Sequence, residues 1–366
     1  MYDLPLLPLD NQDIESKIVL RKTALARSAL AELKGVAVSI PNQSILISTL
    51  SLQEAKDSAA IENIITTHDE LYRSDAQTLH FTNRAAKEVH NYAHALQTGY
   101  AIVKEAGYLS VNHIVEIHSL IENHTSGLRK LPGTELKNQQ TGEIVYTPPQ
   151  HYDTIVHYLR NLEEYINDHK IDDSDPLIKM AIIHHQFESI HPFYDGNGRV
   201  GRIINLLYLV QQQLLDIPIL YISRYINQHK AEYYRLLQNV RIKGEWQEWI
   251  LFILDAVETM SRQTIDIIHG IKLSMQNHKN TIRDKRPKIY SQDLLNNIFR
   301  HPYTKIEFVM ADLSVSRPTA VRYLSELVDI GVLIKEKRGK DNYYINRDIV
   351  SLLASVSDSS SMQYTP

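Results

Sequence analysis

Cysteine is absent from the 366 residues. That absence excludes disulfides and thiolate metal centres, and it fits a reducing compartment. A basic start followed by a long apolar core is also missing from the opening "MYDLPLLPLD", so no secretory signal is expected there. The purest apolar run, "IINLLYLV", is far short of the roughly 18 residues that would suggest a membrane span. Internal repeats are absent too. Hydrophobic residues make up 43% and charged residues 22%, an ordinary globular balance. The expectation is a soluble, cytoplasmic protein of two or three domains with no membrane partner.

The net charge of −4 conceals an asymmetry. Residues 281–347 carry 13 Lys/Arg against 8 Asp/Glu, and the remainder 26 against 35. A basic module near the end of an acidic body implies separate tasks.

Helical periodicity dominates the chain, so the fold class is mainly α. Apolar positions Ile61, Ile64, Ile65 and Leu71 within "SLQEAKDSAAIENIITTHDELYR" predict one amphipathic helix. Further helices are predicted over 82–105, 110–123, 151–168, 176–190, 199–213, 229–241 and 245–275. "DSDPLIKMAIIHH" opens with Asp and Pro placed for a helix start. Residues 127–150, "GLRKLPGTELKNQQTGEIVYTPPQ", break the pattern with Gly, Pro and a short "EIVYT" strand signal. They read as a long loop or hairpin, and such loops in compact domains are often functional.

The densest chemistry lies in "HPFYDGNGRVGR", His191 to Arg202. A helix ends before it, Pro192 stiffens the turn, and a new helix begins near Arg199. The loop therefore faces a helix N-terminus, where free N–H groups and the dipole attract anions. Gly196 and Gly198 allow close backbone approach. Arg199 and Arg202, three apart, suit phosphate oxygens. Asp195 is a hard oxygen ligand suited to a phosphate-bound Mg²⁺, and His191 is placed as a general base. A surface turn needs far less than this. A metal-hydrolase reading from His184, His185, His191 and Asp195 lacks an H-E-x-x-H pair, and adjacent histidines on a helix point apart.

The same twelve residues resemble the Fic signature, H-P-F-x-[DE]-G-N-G-R-x-x-R, at every fixed position. The resemblance implies a Fic-type helical bundle with a β-hairpin flap. It implies transfer of AMP from ATP to a Ser, Thr or Tyr hydroxyl of a protein target, or of the enzyme itself, with release of pyrophosphate. Carried over, His191 would deprotonate the hydroxyl and Asp195 would hold Mg²⁺. Asn197, the loop backbone from Gly196 through Gly198, Val200 and Gly201, and Arg199 would hold the α- and β-phosphates. Arg202 would hold the γ-phosphate. Phe193 is expected as a core anchor. Ile144, Val145 and Tyr146 fall on the flap, which aligns the target segment by strand addition. Tyr233 and Tyr234, in "YISRYINQHKAEYYRLLQNVRIKGEWQEWI", would lie against the adenine.

"SAAIEN", Ser58 to Asn63, matches the family's inhibitory pattern [S/T]-x-x-x-E-[G/N]. A glutamate reaching the phosphate site would pair with Arg202 and occupy γ-phosphate space, adding negative charge where the ligand is already anionic. Auto-inhibition by Glu62 is the expectation, with Ser58 and Asn63 beside it.

Residues 288–347 read as a helix-turn-helix followed by a hairpin around "KRGKD", and resemble a winged helix. Arg317, Thr319 and Arg322 would sit at the front of its second helix, and Lys335, Lys337, Arg338 and Lys340 on its wing. DNA is thus a candidate partner, with protein binding or dimerisation the competing use. The predicted division is an N-terminal helical region at 1–109, a Fic catalytic domain at 110–280, the winged module at 285–347 and a disordered tail at 348–366. The competing function is a DNA-binding regulator whose body senses nucleotide. Within the enzyme class, removal of AMP or transfer of another phosphate-containing group stays open. A symmetric homodimer is the default assembly.

Overall fold

The computed structural model describes residues 4–9, 12–74, 81, 83–137, 141–338 and 341–358. Among these, fifteen α-helices and five short strands form a mainly α protein, in line with the sequence reading.

Two helices cross the centre. Helix α7 (Pro176–Ile190) starts on Asp175, whose side chain accepts from Leu177 N, and is buried along nearly its whole length, polar residues such as Lys179, His184 and His185 included. Helix α8 (Asn197–Gln211) is likewise buried on all faces, as befits helices surrounded by others. Around them lie α1 (Lys17–Ala37), α2 (Ser44–Ile61), α3 (His68–Arg73), α4 (Arg84–Ala106), α5 (Val111–Glu122) and α6 (Tyr152–Asn167). Helices α9 (Ser223–Gln228) and α10 (Lys230–Lys243) close the bundle, with α2 against α4 and α9.

Helix α11 (Trp246–Lys285) has 40 residues and is about 60 Å long. It packs against α1 and α7, and further along against α12 (Gln292–Arg300) and α15 (Arg347–Asp358). It therefore joins the helical bundle to the C-terminal module. That module adds α13 (Ile306–Leu313) and α14 (Arg317–Asp329), plus an antiparallel sheet of order β3 (Tyr303–Thr304), β5 (Asp341–Ile345), β4 (Ile334–Arg338). The helix-turn-helix and hairpin thus occur in the order read from sequence.

Between α5 and α6, β1 (Leu136–Lys137) and β2 (Ile144–Tyr146) pair antiparallel, with Leu136 opposite Tyr146. This hairpin occupies the predicted flap.

Two expectations require correction. The single helix predicted through Ile61, Ile64, Ile65 and Leu71 is two helices. α2 ends at Ile61 with Glu62 as its C-cap, and Asn63 takes φ 63°. A new cap then forms at Thr67, whose side chain accepts from Glu70 N while Glu70 reciprocates. Ile65 is 78% exposed, so the supposed stripe does not exist. Second, the tail expected to be disordered from 348 begins as α15, which buries Ile349 and Leu353 against the rest of the chain. Residues 359–366 lie outside the described residues.

Candidate functional site

The site is built where α7 hands over to α8. His191 caps α7 in the left-handed conformation, φ 49° and ψ 60°. A non-glycine residue rarely adopts this, and here it turns the chain sharply at the end of a rigid helix. Five residues later Gly196, φ 75°, caps the start of α8. The loop between is pinned from inside. Asn197 Oδ1 accepts from Phe193 N and Asn197 Nδ2 donates to Phe193 O, both at 2.9 Å. The fully buried Phe193 ring stacks on His118 at 3.7 Å, and His118 Nε2 lies 3.1 Å from Asp195 O. Burial pushes His118 down to about 4, so it is a neutral ring. Phe193 is the core anchor the sequence suggested.

A cavity of about 1340 Å³ opens over this loop. Glu62, Asn63, Val145, His191, Asp195, Gly196, Asn197, Arg199, Tyr233 and Tyr234 all line it. Their separation in sequence, from 62 to 234, makes the shared wall a product of the fold.

The predicted residues take different stations. Asn197 spends its side chain on the loop, leaving its backbone for a ligand. Val200 is fully buried in the core and its N–H donates to Gly196 O at 3.0 Å, so it faces away from the cavity. Gly201 lies against Glu188, whose Oε1 would be 2.8 Å from an added Cβ. It serves helix packing. Tyr233 is buried, 2.9 Å from His184 Nε2 through its hydroxyl, and forms a floor, whereas Tyr234 is 49% exposed and offers a ring face. On the flap, Ile144 and Val145 are exposed. Tyr146 instead is an anchor: it is buried, donates to Ser189 O at 2.9 Å and lies under the Arg241 guanidinium. Ile144 and Val145 thus turn outward on the flap, and the Tyr146 side chain does not.

The two arginines are both engaged. Buried Arg202 donates from Nε to Ser58 Oγ at 2.7 Å, and from Nη2 to Glu62 Oε1 at 2.8 Å and Ser58 O at 3.1 Å. Arg199 Nε lies 2.9 Å from Glu62 Oε2 as an ion pair whose angle is poor for a hydrogen bond. Its Nη2 donates to Glu122 Oε1 at 2.8 Å. Glu62 thus bridges both arginines from the end of α2. Asn63 stands beside it and accepts from Lys230 Nζ at 3.2 Å.

Burial, with the charges of Arg241 and Arg129 added, pushes the His191 imidazole down to about 3. The ring is neutral at pH 7 and its Nδ1 has no partner. Burial raises Glu188, one turn earlier on α7, to about 7.

Several residues here escaped sequence reasoning. Glu122, Glu88, Glu188 and Arg241 line or support the cavity, yet each is a single charged residue in a helix, a pattern shared with any solvated face. Arg129, in the long loop, is wholly buried. No local signal marks it.

In the C-terminal module, Arg317 and Arg322 are exposed, but Arg317 pairs with Glu307 at 2.8 Å and Arg322 approaches Glu326 at 3.9 Å. Thr319 Oγ1 is 3.0 Å from Ser316 Oγ. Lys340 lies outside the described residues. Among the described residues, no helix is long and apolar enough to cross a membrane.

A buried two-helix core, a glycine-bearing loop at the amino end of the second helix, and a hairpin beside it define the class: a helical bundle carrying a Fic-type loop. Family comparison agrees. The Fic/DOC family N-terminal model matches residues 20–101, and the Fic/DOC family model matches 108–209. The C-terminal domain of SoFic-like protein adenylyltransferases matches 274–349. The chain belongs to the Fic/DOC family.

A protein of Aquifex aeolicus named probable protein adenylyltransferase is 30% identical over 184 residues, covering 49% of this chain and 53% of that protein. The protein adenylyltransferase Fic of Aedes aegypti is 26% identical over 166 residues, covering 45% and 30%. The chain therefore spans about half, or less, of the curated relatives it matches. The crystal structure of a Fic family protein from Desulfovibrio desulfuricans superposes with a TM-score of 0.56 at 19% identity, covering 90% of this chain and 96% of that one. Fic-1 from C. elegans gives 0.54 at 17%, covering 69% and 74%. These likenesses extend to the fold.

Proposed function

We propose that this chain is a protein adenylyltransferase, moving AMP from ATP to a Ser, Thr or Tyr hydroxyl of a protein, itself included, and that Glu62 restrains it. One observation carries the reading: His191, Asp195, Arg199, Tyr234 and the flap residue Val145 share one cavity. A base, an anion loop, a ring face and an exposed strand are what joining a nucleotide to a polypeptide requires.

In this reading the hydroxyl oxygen attacks the α-phosphorus, the α–β phosphoanhydride bond breaks, and pyrophosphate leaves. Neutral His191 accepts the hydroxyl proton. A bound triphosphate would raise its basicity, because nearby negative charge favours the imidazolium. The amide groups at the start of α8 and Arg199 hold the phosphates, and Tyr234 packs against the base.

The donor set suits Mg²⁺ in one particular way. Among the described residues, no group of three or more His, Cys, Asp or Glu side chains could hold a metal alone. Asp195, however, is 78% exposed at the cavity wall. A single carboxylate with phosphate oxygens and water completing the shell is the habit of Mg²⁺. When bound, that ion would neutralise phosphate charge.

Glu62 places a carboxylate on both arginines that the phosphates would use. A ligand must displace it or bind with its terminal phosphate elsewhere. The test uses ATP labelled at the α-phosphate, with wild type, Glu62→Gly and His191→Ala. Labelled protein should be strongest for Glu62→Gly and absent for His191→Ala. Label only from γ-labelled ATP would replace the reading with phosphoryl transfer, and no label in any protein would sink it.

A further inference from the structure

We infer that Arg129 is a positioning residue for His191, acting through the backbone on both sides of the catalytic turn. The inference rests on the adenylyltransferase reading. Arg129 is completely buried and, among the described residues, no carboxylate is one of the charges that act on it. A buried, uncompensated guanidinium is costly unless its donors are satisfied. Nε and Nη2 are spent on carbonyls, and only Nη1 is left without a partner among the described residues. Nε donates to His191 O at 2.7 Å, and Nη2 to Ile190 O at 3.3 Å and to Pro149 O. The backbone N–H of Arg129 donates to Pro192 O at 2.9 Å.

Three consecutive carbonyls, 190 to 192, are therefore held by one residue. They belong to the C-terminal end of α7, where carbonyls lack helical partners and a cation is favoured. His191 sits there in a left-handed conformation that a residue with a side chain adopts only under constraint. The contact to Pro149 adds the far end of the flap to the same guanidinium. Arg129 thus fixes the base and the strand that would present the acceptor in one frame. The conserved-charge substitute Lys has no planar fork and cannot reach three carbonyls.

The experiment places Arg129→Lys and Arg129→Met in the Glu62→Gly background. It reads kcat for α-labelled transfer, ATP Kd by calorimetry, and thermal stability. Misplacing the base by about 1 Å should lower kcat on the order of 100-fold for Arg129→Met, with ATP Kd within about twofold, since no nucleotide-facing group moves. Arg129→Lys should recover part of kcat. A kcat that stays at the parent value, or falls only in step with Kd and stability, overturns the inference. If Arg129→Met does not fold, Arg129→Lys carries the test alone. If the Glu62→Gly parent itself transfers nothing, the functional reading has failed. The positioning claim is then judged by the His191 imidazole NMR signals, which must shift in Arg129→Lys and would overturn it by staying put.

A separate set of contacts supports a second inference: the geometry points to the C-terminal module as a clamp on the Glu62 turn. That turn lies between α2 and α3, and the module grips both. Gln53 on α2 donates to Leu353 O at 2.9 Å. On α3, Tyr72 stacks on Tyr303 at 5.7 Å, and the Tyr303 hydroxyl donates to Asp69 at 2.9 Å. Arg73 reaches Glu336 at 3.3 Å, and the Tyr343 hydroxyl donates to Arg73 O at 3.3 Å. Anything that draws the module away loosens the helix ends that aim Glu62.

Tyr303→Phe removes the bond to Asp69 and Arg73→Gln the pair with Glu336, both without touching the cavity. Each should raise transfer several-fold in the wild-type chain and leave Glu62→Gly unchanged, because the clamp acts only through Glu62. Equal gains in both backgrounds, or none in either, overturn the clamp. Should Glu62→Gly be inactive, hydrogen exchange over residues 58–66 decides: faster exchange in both variants supports the clamp, and unchanged exchange sinks it.

Discussion

Gly198 and Glu62 meet across the cleft: a Cβ added at 198 would stand 2.8 Å from Glu62 Oε1 and 2.9 Å from Arg202 Nη1. The loop and the Glu62–Arg202 pair therefore leave no room for a side chain at 198 unless the Glu62 carboxylate or the Arg202 guanidinium moves.

Gly198→Ala tests this fit. Alanine should favour the helix by up to about 1 kcal/mol, but the clash with a paired, buried charge outweighs that in the wild-type chain. Melting temperature should fall in wild type and fall less, or rise, in Glu62→Gly. Equal shifts in a four-protein thermal cycle would show that the residues do not interact.

Ser58→Ala removes the acceptor of the Arg202 Nε bond at 2.7 Å. Both groups are buried, so the stranded donor should cost about 1–3 kcal/mol. Denaturant unfolding should show that loss. Transfer of labelled AMP should rise, but by less than in Glu62→Gly, because Glu62 still holds both arginines.

Asp195→Asn separates chemistry from folding. Its carboxylate is 78% exposed, so stability should stay within about 0.5 kcal/mol of wild type. In the Glu62→Gly background transfer should drop more than about 100-fold, since metal neutralisation of phosphate charge is worth several kcal/mol. Unchanged transfer across a Mg²⁺ titration would remove Asp195 from metal binding.

Stability should peak near pH 6.5. Burial depresses six histidines, with His184 and His191 at about 3, His68 and His118 at about 4, His185 well below its usual value and His278 also lowered. The unfolded chain binds more protons below about 6.5, so their contribution is lost as pH falls. Burial raises Glu54 and Glu188 to about 7. Their contribution is complete below about 4.5 and is lost as pH rises through 7. Between those limits the histidines win by number, and only the carboxylates act above. Calorimetric melts from pH 4.5 to 8 should climb to about 6.5 and then flatten or dip; a steady fall from 4.5 would refute the balance.

The long helices were legible because periodicity and caps agree locally. Asp175 and Pro176 announce α7, and the glycines of the loop announce the turn into α8. The pairing of Glu62 with Arg202, 140 residues apart, was readable only because both lie in recognised motifs. The break after Ile61 was not, since it depends on Asn63 turning left-handed and on the Thr67 cap, neither of which alters hydrophobic spacing. Val200 and Tyr146 sat inside functional stretches, yet the fold turns them into the core. Arg129 carried no signal at all, because burial of a lone charge is decided by carbonyls contributed from 149 and 190 to 191.

Helix α11 carries one further consequence. As an unbroken rod it transmits azimuth as well as distance between the bundle and the C-terminal module. One inserted residue midway would rotate everything beyond it by about 100° and advance it about 1.5 Å. Tyr303 and Glu336 would swing off Asp69 and Arg73 altogether. The two halves are geared together, so the chain tolerates changes of length in its loops far better than in this shaft.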